Sequence, residues 1–220
     1  SGMFNIFMEY VPGGSLKHLL KEFGALSELV VQSYCLQVLT GLRVLHDAGI
    51  AHRDIKADNL LLADDGTVKL ADFGSAKRIS MSTVMMQTNA QQIRGSPLWM
   101  APEVIRNEVG TVGSVKSNGG SPKKNVPIDN RASLVGWRRA DVWSFGCTVI
   151  ELINGTPPFN YFSNPTAAMF HIASCKEPPI KEFPKTMDEL GHDMLSRCFA
   201  LQPSERPSVH ELLIHPYWRR

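Results

Sequence analysis

Four side chains in the first half of the chain could bring two metal ligands, a proton acceptor and a positive charge to one point. Asp54, Lys56 and Asn59 lie within six residues, and Asp72 follows further along. Between Asn59 and Asp72 stand two short apolar runs separated by Asp-Asp-Gly at 64–66, which is typical of a β-hairpin. Since facing residues of an antiparallel pair lie about 5 Å apart, we expect Asn59 and Asp72 to approach each other across the open end of the hairpin.

These residue types fit phosphoryl transfer. Asn59 and Asp72 offer hard oxygen donors to Mg²⁺, which usually takes only one or two protein ligands and completes its shell with water and phosphate. Asp54 could accept the proton of an attacking hydroxyl, and Lys56 could offset charge on a transferring phosphoryl group. Taken singly, each side chain is equally a solvated loop charge or a turn residue, so the hypothesis rests on the ordered set.

Two long helices are predicted to position these residues. The first follows Ser27, a favoured N-cap residue, and ends near Gly49. Its apolar stripe consists of Val31, Cys35, Val38, Leu42 and Leu45. The second runs from about Ala140 to Ile153, and apolar residues surround its axis, which predicts burial on all sides.

Further helix starts and one strand complete the predicted fold. Asn164-Pro165 reads as an N-cap followed by a first-turn proline, and 186–189 and 208–211 have capping-box spacing. Residues 4–8 form a strand candidate. The fold class is therefore α+β and mainly helical, with a few short strands.

Composition excludes several classes of function. The 220 residues are 43% hydrophobic and 20% charged with a net charge of +2, which is ordinary for a globular domain and too weakly basic to indicate nucleic acid or a membrane as partner. No apolar run approaches the roughly 20 residues of a membrane span. The four cysteines lie far apart, which fits a reducing compartment, and no secretion signal is visible, so we expect a cytoplasmic location.

One set of motifs resembles a known family. The run 52–59 reads His-Arg-Asp-Ile-Lys-Ala-Asp-Asn, and it precedes Asp-Phe-Gly at 72–74 and Ala-Pro-Glu at 101–103. This set resembles the hinge and C-terminal lobe of a eukaryotic serine/threonine protein kinase. The stretches 95–103, 201–203 and 206–207 are similar to the MAP kinase kinase kinase group.

The resemblance implies a partial catalytic domain over 1–220 and a role for each matching residue. Residues 1–14 would be the last N-lobe strand and the hinge, and 15–220 the C-terminal lobe. Asp54 would be the catalytic base, Lys56 would face phosphate, and Asn59 and Asp72 would hold Mg²⁺. The residues that would contact ATP on the adenine and ribose side are Met8, Glu9, Val11, Ser15 and Leu61. For Met8, Leu16 and Leu61, core packing is an equal alternative.

The resemblance also implies structural contacts. His52 and Phe73 would stack, and Glu103 would form a buried ion pair with Arg206. Asp141 would accept hydrogen bonds from the catalytic loop, although an ordinary acidic residue at a helix N-terminus explains its position almost as well.

Regulation by phosphorylation is a further implication of Arg53, which could pair with a phosphate on the segment after Asp72. An upstream kinase or autophosphorylation would supply that phosphate. Ser96 is expected to pack against Asp54 and Lys56. The candidate acceptors are Ser80, Ser82, Thr83, Thr88 and Ser96, with Thr88 preferred among the loop sites.

Residues 107–136 stand apart, since half of the thirty are Gly, Ser, Asn or Pro, and they predict a flexible surface insertion. This insertion is either a surface loop without a function, which costs the fold little entropy, or a segment that contacts a partner protein or is itself modified.

The leading functional hypothesis is transfer of the ATP γ-phosphate to Ser or Thr of a protein substrate, such as a downstream kinase, in a MAP kinase-type cascade. The chain contains no Gly-rich loop and no strand lysine, for which a complete kinase uses about 80 further residues, so we expect these 220 residues alone to be inactive. The alternatives are a truncated lobe that serves as a non-catalytic binding or scaffold module, and a small-molecule kinase.

Overall fold

The computed structural model describes residues 7–78, 96–109 and 130–219, and for Arg78 and residues 130–133 it describes the backbone alone. The α-helices within these ranges are α1 Leu16–Phe23, α2 Glu28–Asp47, α3 Pro102–Ile105, α4 Asn130–Asn154, α5 Pro165–Ser174, α6 Glu189–Cys198 and α7 Val209–Leu213. The strands are β1 Ile50–Ala51, β2 Leu60–Leu62, β3 Val68–Leu70 and β4 Lys77–Arg78. The predicted α+β, mainly helical class is confirmed. None of the described helices has both the length and the apolar character needed to cross a membrane.

Helix α4 is buried in the middle of the fold, as the distribution of its apolar residues predicts. Trp143, Phe145 and Val149 have no exposed surface. Its neighbours are α2, β1 and α6, together with the short 3₁₀ segments Pro97–Trp99 and Pro203–Glu205. Because α4 contacts loops as well as helices, it can fix loop positions directly.

Helix α4 begins at Asn130 rather than near Ala140, which corrects the predicted boundary of the insertion. Residues 130–136 are helical, whereas the composition of 107–136 suggested one flexible stretch. The average over thirty residues hid the Arg-Ala-Ser-Leu run at 131–134, and adding turns to a helix that already exists needs no new nucleation. Residues 110–129 of the predicted insertion lie outside the described residues.

Helix α2 packs against α4, α7 and β3 through the predicted apolar stripe. Val31, Cys35 and Leu42 are completely buried. Ser27 occupies the N-cap position, but its side chain makes no capping hydrogen bond. Gly49 follows the helix with φ of 76°, a left-handed conformation that glycine adopts without strain.

The predicted hairpin is confirmed. Strands β2 and β3 pair antiparallel with Leu60 opposite Leu70, and Gly66 takes φ of 81° in the turn. The Ala71 N–H donates to the Asn59 carbonyl oxygen at 2.9 Å, which extends the pairing beyond the named strands. Strands β1 and β4 form a second antiparallel pair, so the chain after the hairpin returns to the start of the 52–59 loop.

Of the three helix starts predicted after residue 160, two are confirmed. The Asn164 side chain caps α5, and Ser208 forms a complete capping box at the start of α7. Helix α6, however, is capped by Asp188 and not by Thr186. Both are N-cap types, and burial of Met187 in the core places the next residue at the helix start.

The predicted strand at 4–8 is wrong for the two of its residues that the structure describes. Phe7 and Met8 lie in irregular backbone with 95% and 85% of their surface exposed. Within the described residues no strand lies beside them, so their backbone groups have no sheet partner. Residues 4–6 lie outside the described part of the chain.

The predicted ion pair between Glu103 and Arg206 is confirmed and fastens α3 to the C-terminal part of the chain. Two guanidinium nitrogens of Arg206 donate to the two Glu103 oxygens at 2.6 and 2.8 Å. Arg206 also donates to the Ala200 and Arg139 carbonyl oxygens, so its charge is buried with several acceptors. The pair joins segments that lie 103 residues apart.

We expect Glu103→Ala to lower the free energy of unfolding by about 3–5 kcal/mol, because it leaves the Arg206 charge buried without its carboxylate. Urea denaturation followed by tryptophan fluorescence measures the loss. The control is Glu108→Ala, which breaks a largely exposed pair with Arg106 and should cost less than about 1 kcal/mol. If both variants lowered the free energy of unfolding equally, the buried pair would not stabilise the fold more than the exposed one, contrary to our expectation.

Candidate active site

The loop that carries residues 52–59 is held against the middle of α4 by the Asp141 carboxylate. Asp141 is buried and accepts hydrogen bonds from the His52 N–H at 2.9 Å, the Arg53 N–H at 2.7 Å and His46 Nε2 at 2.8 Å. Arg53 has φ of 72°, which is uncommon for a residue other than glycine, and the bond to Asp141 holds its amide in place. The predicted contacts are confirmed, but Asp141 lies well inside α4, so the helix-terminal alternative is wrong.

The Asp54 carboxylate is buried at the centre of the site and is surrounded by donors. Its Oδ2 accepts from Asn59 Nδ2 at 2.9 Å and lies 3.2 Å from Lys56 Nζ. Its Oδ1 accepts from the Ser96 N–H at 3.0 Å, and Lys56 Nζ also donates to Ser96 Oγ at 2.7 Å. The structure thus brings Asp54, Lys56 and Asn59 together and confirms that Ser96 packs against Asp54 and Lys56.

Asn59 and Asp72 both lie at the open end of the hairpin, where the last pairing bond joins Asn59 to Ala71. Asn59 uses its amide nitrogen to contact Asp54, which leaves the amide oxygen as the atom that could bind a metal ion. Asp72 is exposed, takes φ of 59°, and its Oδ1 accepts from the Gly74 N–H at 3.1 Å. One amide oxygen and one carboxylate are a donor set that fits Mg²⁺. Among the described residues no group of three or more His, Cys, Asp or Glu side chains could hold a metal ion, so a metal here would rely on the Asn59 amide and the Asp72 carboxylate.

His52 links the loop to the segment after the hairpin. Its ring lies 5.2 Å from that of Phe73 at a tilt of 54°, which confirms the predicted contact. Because the Ala71 carbonyl oxygen can only accept, His52 Nε2 donates to it at 3.0 Å, and Nδ1 then accepts from the Asp54 N–H at 3.4 Å. One tautomer therefore satisfies both contacts.

On the predicted nucleotide side, the structure brings two of the five residues together. Ser15 and Leu61 pair as an antiparallel bridge, and the Ser15 side chain caps α1. Met8 and Glu9 are exposed, and Glu9 forms an ion pair with Lys69 on the β3 strand. Val11 is half-buried in the turn that leads to α1. Core packing is therefore not the explanation for Met8.

Close backbone contact also shapes this edge of the site. A side chain at Gly13 would place its Cβ 2.3 Å from the Leu62 carbonyl oxygen. The Leu62 N–H donates to the Gly14 carbonyl oxygen at 2.9 Å. The chain at residues 13–14 can approach β2 this closely only because residue 13 has no Cβ.

The sequence analysis identified Asp141 but missed the rest of a polar stripe to which it belongs on the buried helix. Its members recur at intervals of three, four and three residues along α4, are all buried and contact either the 52–59 loop or Trp99. They are Asp141, Ser144, Thr148 and Glu151. The helical spacing of these four residues is visible in the sequence. It is not a distinct signal there, because apolar residues lie between them on all sides of the helix axis.

Glu151 is the most heavily engaged member of this stripe. It is 1% exposed and contacts the Ala57 N–H, Trp99 Nε1 and Lys17 Nζ. Burial raises the pKa of the Glu151 carboxyl, against the lowering effect of the Ala57 amide, of Lys17 and of Trp99.

Arg53 has an aromatic neighbour that the sequence did not reveal. Its guanidinium lies 4.1 Å from the centroid of the Trp137 ring, in the part of α4 that precedes the predicted helix start. Burial, with a smaller contribution from the Arg53 charge, lowers the pKa of Lys77. Arg53 and Lys77 therefore place two positive charges near each other. The candidate acceptors Ser80, Ser82, Thr83 and Thr88 lie outside the described residues.

A family model described as "Protein kinase domain" matches residues 1–116 and 134–218. The match covers most of the chain and the whole catalytic constellation, and it leaves 117–133 unmatched, within the predicted insertion. The chain belongs to the protein kinase family.

Comparison with individual proteins shows which protein kinases this chain is similar to. The chain is 40% identical over 215 residues to mitogen-activated protein kinase kinase kinase 2 of Arabidopsis thaliana, covering 97% of this chain and 28% of that protein. It is 39% identical over 213 residues to mitogen-activated protein kinase kinase kinase A of Dictyostelium discoideum, covering 97% and 19%. For human mitogen-activated protein kinase kinase kinase 3 the identity is 40% over 213 residues, covering 96% and 29%. The chain thus resembles serine/threonine kinases of this group and spans less than a third of the length of these relatives.

We expect Asp141→Asn to lower the free energy of unfolding by about 1–3 kcal/mol, because one amide oxygen cannot replace two carboxylate oxygens that accept three buried donors. Urea denaturation measures the loss, and amide hydrogen exchange at His52 and Arg53 should accelerate. Asp188→Asn is the matched control, since Asn caps a helix as well as Asp. Unchanged exchange at both loop amides would argue against Asp141 as their anchor.

Proposed function

We propose that this chain forms the catalytic lobe of a protein kinase that transfers the ATP γ-phosphate to Ser or Thr hydroxyls of protein substrates. The observation that carries the proposal is the Asp54 carboxylate, which is fixed by Asn59, by the Ser96 amide and by Lys56. Fixed on both oxygens, it can meet a substrate hydroxyl without reorganising.

In the proposed reaction the protein positions groups rather than forming covalent bonds. The substrate hydroxyl lies against Asp54, which accepts its proton as the oxygen attacks the γ-phosphorus. Lys56, already within 3.2 Å of Asp54, offsets negative charge on the transferring phosphoryl group. The bond to the leaving ADP oxygen breaks as the new ester bond forms.

The same proposal assigns the nucleotide and metal contacts. Asn59 and Asp72 would hold Mg²⁺, which neutralises phosphate charge when bound. The residues that would line the adenine and ribose side are Met8, Glu9, Val11, Ser15 and Leu61.

We also propose that the enzyme acts in a MAP kinase-type cascade, as the names of its relatives suggest, with a downstream kinase as protein substrate. Its proposed location is the cytoplasm, which its widely separated cysteines fit. Its activation would follow phosphorylation, by an upstream kinase or by itself, of the segment after Asp72. The neighbouring charges of Arg53 and Lys77 support this, because two cations together suit a phosphate.

We expect Asp54→Asn to reduce phosphoryl transfer by about 10²–10⁴-fold while the fold is retained, because the proton acceptor is lost and the side chain keeps its size. Transfer of labelled γ-phosphate to a mixed library of Ser/Thr peptides measures activity in the longest protein that the gene encodes. Circular dichroism checks the fold.

Asp58→Asn is the matched control, since Asp58 lies in the same loop but is exposed. It should keep near-normal turnover. If Asp54→Asn also turned over normally, the assigned role of Asp54 would be wrong. Transfer to small-molecule acceptors instead of peptides would favour the small-molecule kinase alternative.

A non-catalytic scaffold is the second candidate function. It is favoured by the large apolar side chains of Phe7, Met8 and Tyr10 beside the site, which are 84–95% exposed and could bind a partner. Reading the genomic sequence upstream separates the two. An in-frame Gly-rich loop and strand lysine would support the enzyme, and a nearby stop codon would support the scaffold.

A further inference from the structure

Glu151 joins three parts of the chain at one buried carboxylate. Its Oε2 accepts from the Ala57 N–H at 3.0 Å and from Trp99 Nε1 at 3.0 Å, and its Oε1 accepts from Lys17 Nζ at 3.4 Å. The donors lie in the 52–59 loop, in the 3₁₀ segment Pro97–Trp99 and in α1. They are separated by 94, 52 and 134 residues from Glu151.

These contacts bear on the site because Ala57 directly follows Lys56. Trp99 is the last residue of the Pro97–Trp99 segment. The residue just before the segment, Ser96, contacts both Asp54 and Lys56. The segment is therefore attached to the loop twice, directly through Ser96 and through Trp99 and Glu151. Ser144 adds a bond to the Trp99 carbonyl oxygen at 2.7 Å.

A carboxylate is well suited to this position. Burying it is costly, as the raised pKa of Glu151 indicates, and an apolar side chain of similar volume would pack without that cost. Two acceptor oxygens, however, can receive three donors, whereas a glutamine would turn an NH₂ group toward at least one of them. The charge is compensated by Lys17, which is only 31% exposed.

We propose that Glu151 is a positioning residue that couples segment 96–101, which would face the peptide under the proposed function, to the 52–59 loop, with Lys17 as its charge partner. The hydrogen bonds that Glu151 accepts from Ala57, Trp99 and Lys17 support this coupling, which does not depend on the proposed function. Its consequence for a peptide substrate rests on the proposed function. Glu151 acts through Ala57 and Trp99 and has no direct role in the chemistry.

Hydrogen exchange in the 220-residue chain tests the coupling. In Glu151→Gln, exchange at the Ala57 amide and at the Trp99 indole N–H should each accelerate about tenfold or more, because both lose their charged acceptor. Glu182→Gln is the control: this carboxylate also accepts a backbone N–H, but its donor, Phe159 at 3.3 Å, is not part of the 52–59 loop. Unchanged exchange at either Ala57 or Trp99 overturns the proposal.

Lys17→Met keeps the test decisive if Glu151→Gln does not fold. Lys17 is partly exposed, so the fold should tolerate its replacement. Hydrogen exchange at Ala57 and Trp99 should still accelerate, because the buried Glu151 carboxylate then lacks its compensating positive charge. No acceleration at either site overturns the proposal.

Kinetics in the longest encoded protein test the consequence. Glu151→Gln should raise the KM for a peptide substrate about fivefold or more and the KM for ATP by less, because segment 96–101 loses its direct bond to Glu151 through Trp99. An equal rise in both KM values would contradict a positioning role. If the wild type transfers no phosphate, the proposed function fails, and hydrogen exchange alone decides the coupling.

Discussion

The arrangement of the site depends on one buried carboxylate in the middle of a helix. Asp141 receives three donors, two of which are consecutive amides of the catalytic loop. The second of these amides belongs to Arg53, whose left-handed backbone costs about 1–3 kcal/mol unless its surroundings enforce it. The bond at 2.7 Å from Arg53 to Asp141 provides that enforcement, and Asp54 follows immediately in the chain. The direction of the Asp54 side chain is thus set by a group that lies 88 residues away.

Helix α4 combines two functions that are usually assigned to different elements. Its apolar residues form the centre of the core, and its polar stripe fixes loops. From Asp141 to Glu151 the helix rises about 15 Å, at 1.5 Å per residue, and over that length it contacts the loop at successive points from His52 to Ala57. A rigid helix suits this task because its side-chain spacing does not vary, whereas a loop held only by itself would have many conformations of similar energy.

The features that the sequence predicted correctly are of two kinds: local structure, such as turns and helix caps, and contacts implied by a sequence motif. The hairpin followed from apolar runs around Asp-Asp-Gly, and its open end correctly placed Asn59 beside Ala71 and hence near Asp72. The start of α4 and the cap of α6 were misplaced because each depended on choices between neighbouring residues of similar propensity, which tertiary packing decided. The contacts of Glu151 and Trp137 were not predictable, because each joins segments more than fifty residues apart, and no local pattern encodes such a distance.

The contacts of Ser96 narrow the choice among the phosphorylation candidates. Its amide donates to Asp54 and its hydroxyl accepts from Lys56, so a phosphate at Ser96 would bring two negative charges beside the carboxylate that is proposed to accept a proton. It would also compete for Lys56. A phosphate bound by Arg53 would not have this conflict. A guanidinium stacked on a ring keeps its N–H groups in its own plane, so the Trp137 contact and an anion are compatible. These contacts argue against Ser96 as the site of the proposed activating phosphate and favour the other candidate acceptors, for which Arg53 and Lys77 are the proposed partners.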